Sequence, residues 1–246
     1  MRTFKMTLAY DGTRYRGWQR LGDSELTIQG RLEGVLSRML DEPVEVSGSG
    51  RTDAGAHAMG QVASFRAETE RTTQDMLAYL RHYLPEDIGI LNLEEAEPRF
   101  HARLCAREKT YCYRVWNSSR PNVFERRYVI QIASPLDLAA MEIAARDIVG
   151  THDFLAFCSN KHLKKSSVRT VSRMEIKRIG DEIRFTITGD GFLYNMVRIL
   201  VGTLLEIGRH QRPPDAIPAI LASRSREMAG ETAPAKGLCL MEVCYG

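Results

Sequence analysis

The sequence predicts an α+β fold of two related lobes, each a mixed or antiparallel sheet flanked by helices. Of its 246 residues, 43% are hydrophobic and 26% charged, which is a globular composition with enough length for two packed lobes. The candidate strands alternate apolar and polar residues, so they fit antiparallel sheets better than a doubly wound parallel sheet, whose strands are continuously apolar. The two halves also share an order of strand, helix and paired strands. We therefore place the lobes at residues 1–104 and 105–246.

The first half begins with a strand, because apolar residues alternate with polar ones from Phe4 to Tyr10, before an Asp11-Gly12 turn signal. Thr27 can cap a helix whose apolar residues recur at helical spacing until Pro43 stops it. The remaining pattern of this half predicts strands at 44–47 and 61–65, a helix at 73–84 and a strand at 88–93.

The second half repeats this order. Asp137 can cap a helix that stops at Gly150, and the strongest helical pattern of the chain runs from Leu193 to Ile207, before Gly208. The pattern predicts strands at 109–116 and 238–245, and a hairpin formed by 168–177 and 182–188.

The composition argues against several classes of protein. No apolar stretch approaches the ~20 residues that cross a bilayer, and the first residues lack the features of a signal peptide, so we expect a cytoplasmic protein without membrane contact. The five cysteines are odd in number and form no C-x-x-C, so we expect reduced core thiols. The six histidines are scattered and no phosphate-binding glycine motif occurs, so we expect no metal and no nucleotide cofactor.

The basic residues cluster, although the net charge is only +3. Three runs, at residues 1–20, 99–114 and 161–178, are strongly basic, whereas acidic residues collect at 85–98. The first two runs interleave their cations with tyrosine and tryptophan rings, which suits a polyanion whose bases become accessible. Basic runs are also typical of a solvated surface. Both interpretations stay open at this point.

The loop Gly48–His57 is the most unusual segment of the chain. Its three glycines frame Asp53, which has Arg51 and His57 nearby. On its own, the loop favours a structural interpretation in which Asp53 makes an Asx turn and Arg51 is a surface cation. An acid-base pair of Asp53 and His57 is also possible, although no serine or cysteine lies in a nucleophile motif.

Arg198 lies in a helix whose apolar positions cover nearly the whole circumference, so we expect its guanidinium to be at least partly buried. A buried guanidinium needs a carboxylate partner. Asp190, at the end of the preceding strand, could supply it, and so could Asp53 from the first half. Periodicity does not decide between these two partners.

Long motifs follow one another along nearly the whole chain. They include Tyr10-Asp-Gly-Thr-x-Tyr15-x-Gly-Trp-Gln19, Gly50-Arg-Thr-Asp-Ala-Gly-Ala-His-Ala58, Lys109-Thr-Tyr-x-Tyr113, Gly191-Phe-Leu-Tyr-Asn-Met-Val-Arg198 and Lys236-Gly-Leu-x-Leu240. Together they resemble the TruA-type tRNA pseudouridine synthases. Ala56 stands where that family often has valine, which trims a side chain without removing a reactive group.

The resemblance implies roles for individual residues. Asp53 would be the essential catalytic carboxylate, in a cleft between the lobes, with Arg198 as its salt-bridge partner. Tyr111 would pack on the target uracil. Arg51 would enter the nucleic-acid stack as the target nucleotide swings out.

The implied reaction isomerises uridine to pseudouridine at positions 38, 39 and 40 of the tRNA anticodon stem-loop, and the implied assembly is a homodimer. This reaction rearranges atoms without adding any, so it needs no cofactor and no metal. Arg14 and Lys109, from two of the basic runs, are further expected RNA contacts. Two other hypotheses remain: a non-catalytic RNA-binding module, and a hydrolase that uses Asp53 and His57.

Overall fold

The structure is a computed structural model that describes residues 1–22, 26–160 and 165–246. These residues divide into two compact units: unit 1 is Met1–Arg107 with Leu240–Gly246, and unit 2 is Glu108–Cys239. The predicted α+β class is confirmed. We predicted a division between residues 104 and 105, whereas the first segment of unit 1 ends three residues later, at Arg107. The prediction also placed the last seven residues in the second lobe, whereas they belong to unit 1. His162 and the first four residues of the third basic run lie outside the described residues.

Unit 1 contains an antiparallel sheet and two helices. In chain order its elements are β1 (Arg2–Tyr10), α1 (Ile28–Leu40), β2 (Ser47–Gly48), β3 (His57–Ala67), α2 (Thr73–Tyr83) and β4 (Ile88–Ala96). β1 lies between β3 and β4 and is antiparallel to both. The rings of Phe4 on β1 and Phe65 on β3 are buried and stack with centroids 5.0 Å apart. The alternation of β1 thus places its apolar side chains in the core of this unit.

The helix predicted after Thr27 is confirmed, because Thr27 Oγ1 accepts the Gly30 N–H at 3.2 Å and α1 follows. The strand predicted at 44–47 is wrong, since pairing with β3 occurs only at Ser47–Gly48. The backbone donors before it are used by α1. The Val44 N–H donates to Ser37 Oγ at 2.9 Å and the Val46 N–H to Glu33 Oε1 at 3.0 Å.

Between β4 and the last strand of the chain, the described residues form five strands and three α-helices. They are β5 (Ala106–Trp116), β6 (Ile130–Gln131), α3 (Leu138–Arg146), β7 (Gly150–Asp153), β8 (Val168–Ile179), β9 (Glu182–Gly189), α4 (Met196–Gly208) and α5 (Ala216–Ser223). β9 lies between β5 and β8 and is antiparallel to both, which confirms the predicted hairpin. β7 pairs with β8, and the short β6 runs parallel to β5. The sequence did not predict β6, β7 or α5.

Asp137 caps α3 as predicted, since its Oδ1 accepts the Ala140 N–H at 3.0 Å. The predicted end of this helix at Gly150 is wrong, because the helix ends at Arg146. The next three N–H groups, from Asp147 onward, donate to carbonyls three residues back, which tightens the last turn. Gly150 instead begins β7.

α4 begins at Met196 rather than Leu193, because Asn195 has a left-handed backbone with φ of 63°. The segment 230–233 lies directly against this helix. The Gly230 N–H donates to Thr203 Oγ1 at 2.9 Å, and the Ala233 N–H donates to the Arg198 carbonyl at 3.1 Å. Between these bonds a Cβ on Gly202 would overlap the carbonyl of Glu231. Gly202 therefore allows the segment to approach α4.

The last strand, β10 (Leu238–Tyr245), is confirmed as predicted and pairs with β3. The Tyr245 hydroxyl donates to the Ala102 carbonyl at 2.7 Å, and its ring lies 5.1 Å from that of Phe100. These contacts place the end of the chain in unit 1. The alternation of residues along one strand does not reveal which other strand it pairs with.

All five cysteines are free thiols: Cys105, Cys112, Cys158, Cys239 and Cys244. Cys112 and Cys158 are buried as expected, whereas the expectation of a core position is wrong for the exposed Cys105 and Cys244. No helix in the part of the chain that the structure describes is long and apolar enough to span a membrane.

We predict opposite effects of alanine at two helical glycines. Gly202→Ala should lower the free energy of unfolding by about 1–3 kcal/mol, because the added Cβ has no room beside Glu231. Gly34→Ala in α1 is the control, since a Cβ there meets nothing within 4 Å. It should raise stability by up to about 1 kcal/mol through helix propensity. Urea denaturation of both variants measures this, and equal effects would contradict the close packing of 230–233 on α4.

Candidate active site

The loop that joins β2 to β3 carries Asp53 and is held by buried hydrogen bonds. Gln61 of β3, which is fully buried, accepts from Ser49 Oγ at 2.6 Å and donates through Nε2 to the Gly50 carbonyl at 3.1 Å. The hydroxyls of Tyr10 and Thr52 are hydrogen-bonded at 2.8 Å. These partners fix the backbone on the N-terminal side of Asp53. No periodic pattern in the sequence indicates this network, although Tyr10 begins one of the motifs that support the family resemblance.

A second segment, residues 15–18, lies against the same loop. The Trp18 N–H donates to the Thr52 carbonyl at 3.0 Å, and the Gly55 N–H donates to the Tyr15 carbonyl at 3.3 Å. Gly17 has φ of +92°, and a Cβ there would lie 2.7 Å from the Thr52 carbonyl oxygen. The Tyr-x-Gly-Trp motif therefore has a structural role, because it supports the loop on both sides of Asp53.

The backbone of Asp53 closes its own turn. The Ala56 N–H donates to the Asp53 carbonyl at 3.1 Å, while the Gly55 N–H is bonded to Tyr15. An Asx turn would bring the Gly55 N–H to the Asp53 carboxylate. The Tyr15 carbonyl, which accepts this N–H, thus takes part in fixing the turn. Asp53 is partly exposed and Arg51 is exposed.

His57 supports the backbone of Gly12. Its Nδ1 accepts the Gly12 N–H at 3.1 Å, and the ring is only 5% exposed. Asp11 Oδ1 lies 3.2 Å from the same nitrogen. Nδ1 therefore lies between the Gly12 N–H and the Asp11 carboxylate, inside unit 1. Nδ1 of His57 is thus committed to a structural bond, which disfavours the hydrolase hypothesis.

In unit 2, Arg198 is partly buried, as predicted, in the first turn of α4. Its Nε donates to the Ala233 carbonyl at 2.7 Å and its Nη1 to Asn195 Oδ1 at 3.0 Å. Asn195 is held in turn, because its Nδ2 donates to Ser159 Oγ at 3.1 Å. Two side-chain bonds therefore orient the guanidinium.

Asp190 is not the carboxylate partner of Arg198. It is exposed, and its Oδ1 accepts the Thr170 N–H at 3.0 Å. Within the described residues Asp190 forms no ion pair. Of the two partners that the sequence left open, the one on the neighbouring strand is thus set aside.

Tyr111 lies on β5, opposite Ile187 of β9, and is 7% exposed. The Phe192 ring meets it edge-on, with centroids 5.2 Å apart. Lys109, two residues earlier, is half-buried opposite Gly189. The strand thus fixes the ring of Tyr111 at the middle of β5.

Arg14 is tied to an acidic residue that the sequence did not single out. Its Nε and Nη2 donate to Asp87 Oδ2 at 2.9 and 2.5 Å. The Tyr15 hydroxyl donates to the other oxygen of Asp87 at 2.6 Å. Burial and this hydrogen bond raise the pKa of Tyr15. Arg14 therefore has a carboxylate beside it, although its side chain is 66% exposed.

The first basic run is largely neutralised in the same way. Four of its cations have acidic partners, in the pairs Arg2 with Glu95, Lys5 with Glu94, Arg14 with Asp87 and Arg20 with Glu33. Three of these acids belong to the acidic segment 85–98. The number of cations in this run therefore overstates the positive charge that is available to bind a polyanion.

Proteins of known name are similar to this chain over nearly its whole length. A family model described as tRNA pseudouridine synthase matches residues 6–103 and 144–246. tRNA pseudouridine synthase A 2 of Bacillus cereus is 43% identical over 243 residues, with 99% of each chain covered. tRNA pseudouridine synthase A of Moorella thermoacetica is 46% identical over 246 residues, and that of Brevibacillus brevis 45% identical over 245, with 100% of each chain covered.

We predict that Gln61→Leu loosens the Asp53 loop more than the rest of unit 1. The substitution leaves the Ser49 hydroxyl and the Gly50 carbonyl without their buried partner, which typically costs about 1–3 kcal/mol. Amide hydrogen exchange should become faster at residues 49–56 than in β1. Gln19→Leu is the control, because its side-chain bond to Gln29 lies outside the loop. Unchanged exchange at 49–56 would contradict the role of Gln61.

Proposed function

Since the chain belongs to the tRNA pseudouridine synthase family, we propose that it modifies uridines 38, 39 and 40 of the tRNA anticodon stem-loop with Asp53 as its catalytic carboxylate. Membership of the family makes the protein an isomerase that forms pseudouridine in tRNA. It also sets aside the binding-module and hydrolase hypotheses. The observation that carries the proposal is the loop itself, whose backbone is fixed on both sides of Asp53 by bonds to Gln61, Trp18 and Tyr15.

The reaction breaks the N1–C1′ bond of uridine and forms a C5–C1′ bond, so no atom is added or lost. A base inside a stem-loop must first leave the stack, which costs a few kcal/mol. Arg51 is exposed and lies next to the buried Thr52, a position from which it can enter the vacated space. The Asp53 carboxylate then acts on the extruded nucleotide by attack at C1′, by addition to the uracil ring or by removal of a ribose proton.

Tyr111 is proposed to pack on the target uracil. Its ring is held edge-on by Phe192, so it loses little conformational freedom when a base packs on it. Its hydroxyl can move a proton late in the reaction.

Arg198 is proposed as the partner that keeps the Asp53 carboxylate ionised. The support comes from unit 2 alone: Asn195 and Ala233 orient the guanidinium, and Asp190 is engaged with Thr170. The bonds of Nε and Nη1 fix the direction of the guanidinium, whose fork of N–H donors matches a carboxylate. An opposite charge and hydrogen bonds favour the ionised form of a carboxylate in a pocket from which RNA excludes water.

The proposal also covers RNA contacts, oligomeric state and cellular location. Lys109 and Arg14 are proposed RNA contacts, and Arg14 would use the donors that Asp87 does not take. We also propose that the protein acts as a homodimer in the cytoplasm, without a metal or cofactor.

Asp53→Asn should abolish pseudouridine formation while leaving tRNA affinity within about threefold, because the amide keeps the size and the acceptor of the side chain but not its charge. Asp190→Asn is the matched control and should keep full activity. The activity is the conversion of uridine to pseudouridine, which leaves the mass unchanged, mapped at positions 38 to 40 of a tRNA transcript. Filter binding gives the affinity for tRNA. Activity in Asp53→Asn, or conversion only outside the anticodon stem-loop, would refute the proposal.

A double-mutant cycle tests the proposed pair. Asp53→Ala and Arg198→Leu should be coupled in the free energy of unfolding by about 1 kcal/mol or more, since residues that interact are not additive. Asp190→Ala combined with Arg198→Leu should be additive within about 0.5 kcal/mol. Additivity in both cycles would mean that Asp53 and Arg198 do not interact.

A further inference from the structure

Unit 1 contains a cavity of about 520 Å³ beside α1 that the proposed chemistry does not use. Its lining includes five apolar or small residues, Leu26, Gly30, Val35, Leu84 and Pro85, and six others: Arg14, Arg31, Arg38, Tyr15, Tyr83 and Gly34. We call these six residues the arginine pocket. Its volume is of the order of a nucleotide and fits the low end of ordinary ligand sites.

Gly34 is an unusual residue for its position in the arginine pocket. It lies in the middle of α1, where glycine is less favourable than alanine. A Cβ on Gly34 would meet nothing within 4 Å, so no internal contact requires a glycine here. A local rule that is broken without an internal reason is typical of functional positions. The glycine keeps the cavity open next to the helix.

The charges of the pocket favour an anion. Three guanidinium groups line the pocket; outside the lining, Asp87 is bonded to Arg14 and Tyr15, and the Glu86 carboxylate also acts on Arg14. Arg38 is exposed and has no hydrogen bond or ion pair within the described residues. Guanidinium groups bind phosphate oxygens in a fork of two N–H donors.

The aromatic residues of the pocket complement these charges. Tyr83 is 49% exposed at the end of α2, and its ring stands 4.3 Å from that of Tyr79. An exposed ring beside cations suits a base or ribose that flanks a phosphate.

Tyr15 connects the pocket to the Asp53 loop within unit 1. Its side chain lines the cavity, and its carbonyl accepts the Gly55 N–H at 3.3 Å, two residues after Asp53. The pocket and the Asp53 loop are therefore linked through one residue, Tyr15.

We propose that the arginine pocket binds a backbone phosphate of the tRNA substrate, with Arg38 as a direct contact and Gly34 as the residue that makes room for it. This inference rests on the proposed function. It adds a second anchoring point for the RNA, outside the residues that act on the uracil.

Two variants test the pocket in opposite ways. Arg38→Ala removes a cation, and Gly34→Leu fills the cavity while replacing glycine with a better helix former. The matched controls are Arg71→Ala, an exposed arginine outside the pocket, and Gly89→Leu, a glycine on β4 that also has nothing within 4 Å of its Cβ. Filter binding of full-length tRNA between about 50 and 200 mM salt gives the affinity and its salt dependence.

Both pocket variants should weaken tRNA binding about tenfold at the lower salt concentration. Arg38→Ala should also reduce the slope of log affinity against log salt by about one, as expected for one lost phosphate contact. Gly34→Leu should bind weakly without a lower melting temperature, which separates a filled pocket from a damaged fold. Both controls should bind like the unmodified protein.

Unchanged affinity and slope in both pocket variants would overturn the proposal. So would a pocket that takes only free nucleotides, seen as thermal stabilisation by uridine monophosphate that Arg38→Ala abolishes while tRNA affinity stays the same. Failure of the proposed function looks different, because the unmodified protein would then form no pseudouridine at positions 38 to 40 whatever the pocket variants do.

Discussion

The geometry of the Asp53 loop depends on the buried amide of Gln61. Inside a protein each polar group must find a partner, and Gln61 is the partner of both the Ser49 hydroxyl and the Gly50 carbonyl. Because Gln61 lies on β3, the strand that pairs with β1, the position of the loop is set by the central strands of unit 1. The Tyr10 hydroxyl adds a bond to Thr52 from β1 itself. A residue on a surface loop thus acquires the fixed position that its proposed role in catalysis requires.

Electrostatic pairing across strands explains why charge counts along the chain mislead. Lys5 and Glu94 are far apart in the sequence, yet they form an ion pair because β1 pairs with β4. Such pairs remove most of the attraction that the first basic run would otherwise exert on RNA. The positive charge that remains available lies where no acid faces it, as at Arg38 on α1.

Elements with a strong local signal were predictable from the sequence. α1 and α3 have side-chain caps at Thr27 and Asp137, and β8 and β9 alternate on either side of Gly180, so short-range physics determines them. The pairing of β10 depends on a partner strand distant in sequence and could not be read locally. The same holds for the candidate site. The family resemblance indicates Asp53, Tyr111 and Arg198 from the sequence, whereas Asp190 could be set aside only from the structure, where it accepts the Thr170 N–H.

The pairing of β10 with β3 has a consequence for biosynthesis. Residues 240–246 leave the ribosome about 130 residues after Arg107, although both belong to unit 1. At ~5–20 residues per second, one side of β3 waits roughly 7–26 s for its partner strand. An unpaired strand edge is a site of aggregation. Unit 1 therefore begins to form first and is completed last, so the nascent chain passes through a stage in which an exposed edge must be protected.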